Sequence, residues 1–152
     1  MRFFHPSRRL RQWLARRCGK RIVFDVGAGD GDLVIELQAL GIKCVGIEPH
    51  WFDRRSDRVE PRLTSSMLPQ FAQQCSLLKT TENSVVLFCR PCHGPQFVQE
   101  VLEVLPASAE VLYITAPDNL GRDFDLGAWS ATPLKTPKTA EGEIIYLITR
   151  KE

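Results

Sequence analysis

A short apolar run, Ile22 to Phe24, passes through Asp25 into a segment with three alternating glycines, Gly27, Gly29 and Gly31. Beyond them Leu33, Val34, Leu37 and Leu40 recur at helical spacing until Gly41 stops the pattern. The order is therefore strand, glycine turn, helix. Glycines at such a turn take positive φ and let the backbone pass close beneath a ligand where a β-carbon would collide. The helix that follows aims its first N–H groups at the same place. A second strand, KCVGIE, ends in Glu48, 23 residues beyond Asp25, which suits one strand–helix–strand unit. A carboxylate there can accept two hydrogen bonds from a ribose diol. The pairing predicts a nucleotide-type ligand; the competing reading is a glycine turn and a solvated glutamate in an α/β protein that binds no nucleotide.

The rest of the chain continues the alternation. Residues 53–58 are polar and read as a short helix, and a further helix is expected from about Leu68, with Phe71, Cys75 and Leu78 on one side. SVVLFC is a fourth strand candidate, and Pro95 to Leu105 reads as a helix with Pro95 near its start. EVLYIT is a fifth strand and GEIIYLITR a last one. The proline-bearing stretch from Thr132 to Lys138 reads as a loop. Strands alternating with helices predict an α/β protein with a doubly wound, mostly parallel sheet and helices on both faces. At 152 residues the chain is expected to form a single domain, 1–152.

No stretch approaches the length of a membrane span, and the N-terminus has arginines without an apolar signal core. Five cysteines, an odd number set mostly in apolar runs, read as reduced core thiols. A soluble cytoplasmic protein is the expectation. The net charge of +2 hides an asymmetry: residues 1–21 hold eight of the 20 Lys and Arg and none of the 18 acids, leaving the remainder at −6. Leu10, Trp13, Leu14 and Cys18 share helical spacing in this stretch. They predict a basic N-terminal helix, within residues 1–20, that packs an apolar face and presents arginines outward. Its charged face is open to three readings: a solvated surface, a site for nucleic-acid phosphates, or a site for anionic lipid. A mitochondrial transit peptide is also Arg-rich, but Trp13 and Leu14 run almost directly into the first strand.

The glycine spacing separates two ligand families. A nicotinamide fingerprint, GxGxxG, would need a third glycine at position 32, which is Asp. The pattern present, DxGxGxG, resembles the first motif of the class I S-adenosylmethionine (SAM) dependent methyltransferases at Asp25, Gly27, Gly29 and Gly31, and Glu48 resembles their acidic ribose ligand. The resemblance implies a Rossmann-like methyltransferase fold whose last strand is antiparallel and pairs with a strand around Trp129 to Leu134. It implies SAM as cofactor, held by Asp25, Gly27, Ala28, Gly29, Gly31, Glu48 and Pro49. Where the family often has an acid near the end of its third strand region for the adenine amino group, the matching stretch here, Thr64 to Leu68, offers Ser65 and Ser66. Trp51 is placed to cover the purine, or to fill the core instead.

The fourth strand runs into CRPCHG. Amino-methylating nucleic-acid enzymes carry Asn or Asp, two prolines and an aromatic here, which Arg90, Pro91 and Cys92 do not match. A Pro-Cys pair after this strand resembles the nucleophile of C5-cytosine methyltransferases, and Arg90 beside it would favour a Cys92 thiolate. The segment is also literally CxxCH, a haem attachment pattern and half of a zinc site, with His93, His50 and His5 as further ligand types but no second cysteine pair at ligand spacing. A structural, core-facing Cys89 is the simplest reading, and no metal site is expected. Arg90 and His93 fall at the carboxyl end of a strand, where ligands bind in open α/β sheets, and Arg90 joins the candidate cofactor-binding residues. His93 and Asp118 are candidate general bases, with no spacing rule to choose between them. The activity implied is methyl transfer from SAM to an acceptor the sequence does not name, RNA among the options; the alternative is a SAM-fold module without catalysis that binds RNA or protein through the basic helix.

Overall fold

The computed structural model describes residues 6–28, 31–47, 76–89, 94–116, 126–139 and 142–152. Helix α1 (Arg8–Cys18) starts where the Ser7 hydroxyl accepts a hydrogen bond from the Leu10 N–H at 3.2 Å. It ends at Gly19, whose φ of 59° suits glycine alone and whose N–H bonds the Ala15 carbonyl. After a tight turn come β1 (Ile22–Val26), α2 (Asp32–Ala39) and β2 (Lys43–Ile47). Helical residues 76–80 (α3) precede β3 (Val85–Cys89), α4 (Gly94–Val104) and β4 (Glu110–Thr115). Strands β5 (Trp129–Pro133) and β6 (Ile144–Arg150) complete the chain.

The six strands form one sheet in the order β2-β1-β3-β4-β6-β5. Three ladders, β1–β2, β1–β3 and β3–β4, are parallel. Both ladders of the C-terminal half, β4–β6 and β5–β6, are antiparallel. The expected doubly wound, mostly parallel, Rossmann-like architecture is therefore corrected: the sheet is mixed, and the described residues contain four short helices rather than a helix-rich doubly wound frame. The reason lies partly in the connections. A parallel neighbour needs a crossover of a dozen or more residues, usually helical. Only residues 134–143 separate β5 from β6, and among those described none is helical, so these two strands return antiparallel.

Alternation along the strands sends side chains to two cores. On one face Leu10, Leu14 and Cys18 of α1 and Leu33, Val34 and Leu37 of α2 pack on Val23, Cys44, Val85, Leu87, Leu112 and Ile114. On the other, Leu78 of α3 and Val98, Val101 and Leu102 of α4 pack on Phe24, Val26, Val86, Phe88, Val111 and Tyr113. Helix α1 is thus a core element: Leu10 and Leu14 are each only 1% exposed. Helix α2 lies close to β2 because Gly46 has no side chain; a β-carbon there would stand 3.1 Å from Val34 Cγ2 and 3.2 Å from Ala28 Cβ.

Candidate functional site

The glycine turn sits at the carboxyl end of β1, next to the end of β2. Gly27 has φ 78° and Gly31 has φ 81°, a left-handed backbone that residues with a β-carbon rarely adopt. The Gly27 and Ala28 N–H groups both donate to the Ile47 carbonyl, at 2.7 and 3.2 Å, and Gly31 N–H donates to the Ala28 carbonyl at 3.0 Å. The turn is therefore stitched to the last residue of β2, and Glu48 follows that residue directly in the chain. Gly31 is the N-cap of α2 and supplies no side-chain cap, so the amino end of the helix opens beside the turn with backbone groups foremost.

Asp25 is 1% exposed, pairs in register with Gly46 and Leu87, and by alternation points to the face covered by α1 and α2. Its carboxylate lies at the root of the turn. Ala28 is buried and Gly27 half-buried, so the turn offers a ligand main chain rather than side chains. Gly29, Glu48, Pro49, Trp51, Ser65, Ser66, Arg90, Cys92, His93 and Asp118 lie outside the described residues, as does the short helix expected over 53–58.

The described cysteines behave as core thiols. Burial pushes the Cys18 thiol up to about 11, and burial followed by the nearby Asp25 charge raises Cys44 further. Cys89 is half-buried at the end of β3. Among the described residues no group of three or more His, Cys, Asp or Glu side chains could hold a metal ion. No helix among them is long and apolar enough to cross a membrane.

One group of charges was invisible in the sequence. The Arg17 guanidinium donates Nε to Glu110 Oε1 at 3.0 Å and Nη2 to Oε2 at 3.2 Å, and Arg21 Nη2 reaches Oε1 at 3.4 Å. Arg21 also donates to the carbonyls of Arg17 and Cys18. Near the start of α1, Arg11 donates to the Pro6 carbonyl and lies 3.7 Å from Glu36 of α2. Three of the basic residues expected to face outward thus hold α1 to its neighbours.

Open pockets lie at both ends of the sheet. Two, of about 420 and 630 Å³, flank Trp129 at the amino end of β4, where Arg150 lies over the indole at 5.2 Å and bonds Glu103. They contain none of the residues expected to bind ligand. A third, of about 390 Å³, is formed by the β5–β6 connection at the same end as the glycine turn. No protein-family model matches the chain, and no curated protein matches it.

Proposed function

We propose that the chain binds SAM at the glycine turn and transfers its methyl group to an acceptor. The observation that carries this reading is the turn itself. Two of its motif glycines have positive φ, and its N–H groups bond the carbonyl of the residue preceding Glu48. A main-chain cradle whose bonded strand is followed in sequence by an acid suits an adenosyl ligand: the glycines admit it closely, and Glu48 is assigned the ribose hydroxyls.

SAM supplies a sulfonium-bound methyl, which leaves when the acceptor's lone pair forms the new bond to carbon; the electrons of the broken C–S bond stay on sulfur. A neutral acceptor that carries a proton releases it to water or to a base. The chain's part is to hold donor and acceptor at attack distance. Positioning of this kind supplies much of the acceleration, and the reading needs neither a cysteine nucleophile nor a metal. The buried, protonated Cys18 and Cys44 thiols suit a reducing compartment, and we place the protein in the cytoplasm.

Incubation of the purified chain with tritiated SAM and fractionated cellular RNA, protein and small molecules tests the activity. Label entering one fraction, and lost with Gly31→Val, is the expected result. SAM binding without transfer to any fraction would instead favour a binding module that uses the same turn.

A further inference from the structure

With Arg11, Arg17 and Arg21 engaged, the exposed cations of α1 and the turn after it are Arg8, Arg9, Arg16 and Lys20. Their positions along the sheet differ. Eleven helical residues span about 16 Å, and five strand residues span about the same. Helix α1 turns back through three residues into β1, so its first turn lies level with the end of that strand. Two contacts mark this placement: Arg17, in the last turn of α1, meets Glu110, the first residue of β4, and Arg11, one turn from the start of α1, meets Glu36 midway along α2, which leaves Arg8 and Arg9 beyond it on the side away from Glu110. Arg8 and Arg9 therefore stand at the end where the glycine turn lies, and Arg16 and Lys20 at the opposite end.

The β5–β6 connection adds two more cations at the glycine-turn end. The Leu134 N–H bonds the Ile145 carbonyl, and Ile144 pairs with Thr115, the last residue of β4. Lys135 and Lys138 follow Leu134, both exposed, on the rim of the 390 Å³ pocket. The acid in that pocket, Glu143, is 5% exposed and accepts a hydrogen bond from the Thr139 hydroxyl at 2.9 Å. Of the other described acids near this end, Asp25 is buried, Glu36 meets Arg11 and Asp32 opens α2. Four exposed cations from opposite ends of the sequence thus share one end of the sheet.

The form of this charge selects its partner. Cations in open solvent are screened and hold a single small anion weakly, whereas against a polyanion each releases a counterion and the gains add. A bilayer surface would favour a helix with an apolar face to insert, but Leu10, Leu14 and Cys18 of α1 are already buried in the core. A duplex can deliver a nucleotide to the turn only by unstacking and unpairing it, at a free-energy cost that a single strand largely avoids. We propose that Arg8, Arg9, Lys135 and Lys138 bind the phosphates of single-stranded RNA and so present one of its nucleotides as acceptor at the glycine turn. The acceptor role rests on the methyl-transfer reading above; the phosphate contacts stand without it.

The test is fluorescence anisotropy of a labelled single-stranded RNA 20-mer with the full chain over a range of salt. Two variants are compared with wild type, Arg8→Glu/Arg9→Glu/Lys135→Glu/Lys138→Glu and Arg16→Glu/Lys20→Glu, each checked for folding by circular dichroism. The first should bind at least about 10-fold more weakly and lose about 3 units of the log K against log salt slope, at about 0.7 per phosphate. The second should stay within about threefold of wild type. Equal losses in both variants, an unaffected quadruple variant, absence of RNA binding by wild type at low salt, or tighter binding to phosphatidylserine vesicles than to RNA would each overturn the assignment. Calorimetry with SAM separates the two readings: RNA binding without SAM binding keeps the phosphate rim and removes the acceptor role.

Discussion

Arg17 and Glu110, 93 residues apart in sequence, meet through two parallel hydrogen bonds of 3.0 and 3.2 Å that fasten the last turn of α1 to the start of β4. Burial alone would push the Glu110 carboxyl up. The hydrogen bond and charge of Arg17, joined by Arg21, outweigh burial and hold it below the ordinary carboxylate range.

A carboxyl lowered in the folded state contributes stability above its unfolded pKa, and that contribution fades as pH falls through the folded value. Glu110→Gln should therefore lower stability by about 1 kcal/mol near neutral pH, a modest figure because Arg17 is a third exposed. The difference should close below about pH 4. Urea titrations of both proteins from pH 3 to 7 check it; a gap independent of pH would contradict the role given to the pair.

Leu14, 1% exposed, should cost about 2 to 5 kcal/mol when replaced by alanine. Removal of residues 1–17 should leave a chain without a cooperative melting transition, since it uncovers the α1 face of the sheet. A truncated chain that melts like the full one would show α1 to be an appendage.

Much of this arrangement was legible locally. The apolar runs at 22–26, 85–89 and 110–115 are strands buried on both faces, 144–150 is a strand buried at Ile145, Tyr146 and Ile148, and the spacing of Leu10, Leu14 and Cys18 marks the buried side of α1. The glycine pattern placed the turn, and Gly27 and Gly31 take the positive φ that glycine permits. Strand direction was less legible in the residues themselves, although the family resemblance implied an antiparallel last strand with a partner around Trp129, and β6 and β5 do pair in that way. An apolar run such as IIYLIT reads the same in a parallel or an antiparallel ladder, and β5, WSATP, has little burial to advertise it. The inward use of Arg11, Arg17 and Arg21 depends on partners in α2 and β4, which no local charge pattern reveals.

Gly46→Val should destabilise by about 1 to 3 kcal/mol, because even its β-carbon would press on Val34 and Ala28. The strain falls on the start of α2 and the turn, so any ligand bound there should also weaken. Thermal melts with and without ligand read both effects; a neutral substitution would mean that α2 shifts freely away from β2.

Cys18 and Cys44 should resist alkylation in the folded protein, since burial raises both thiols well above their usual range. Iodoacetamide treatment at pH 8 followed by peptide mass spectrometry should find both unmodified in native protein and modified in urea. Rapid labelling of Cys44 under native conditions would contradict the packing of β2 against α2.

Isothermal titration of the pure, folded chain with SAM and with its demethylated product tests the central claim most directly. One site should be found for each compound, Gly31→Val should abolish it while preserving the circular dichroism spectrum, and Glu48→Ala should weaken it by about 1 to 3 kcal/mol. A folded wild-type protein that takes up neither compound at millimolar concentration would contradict the account.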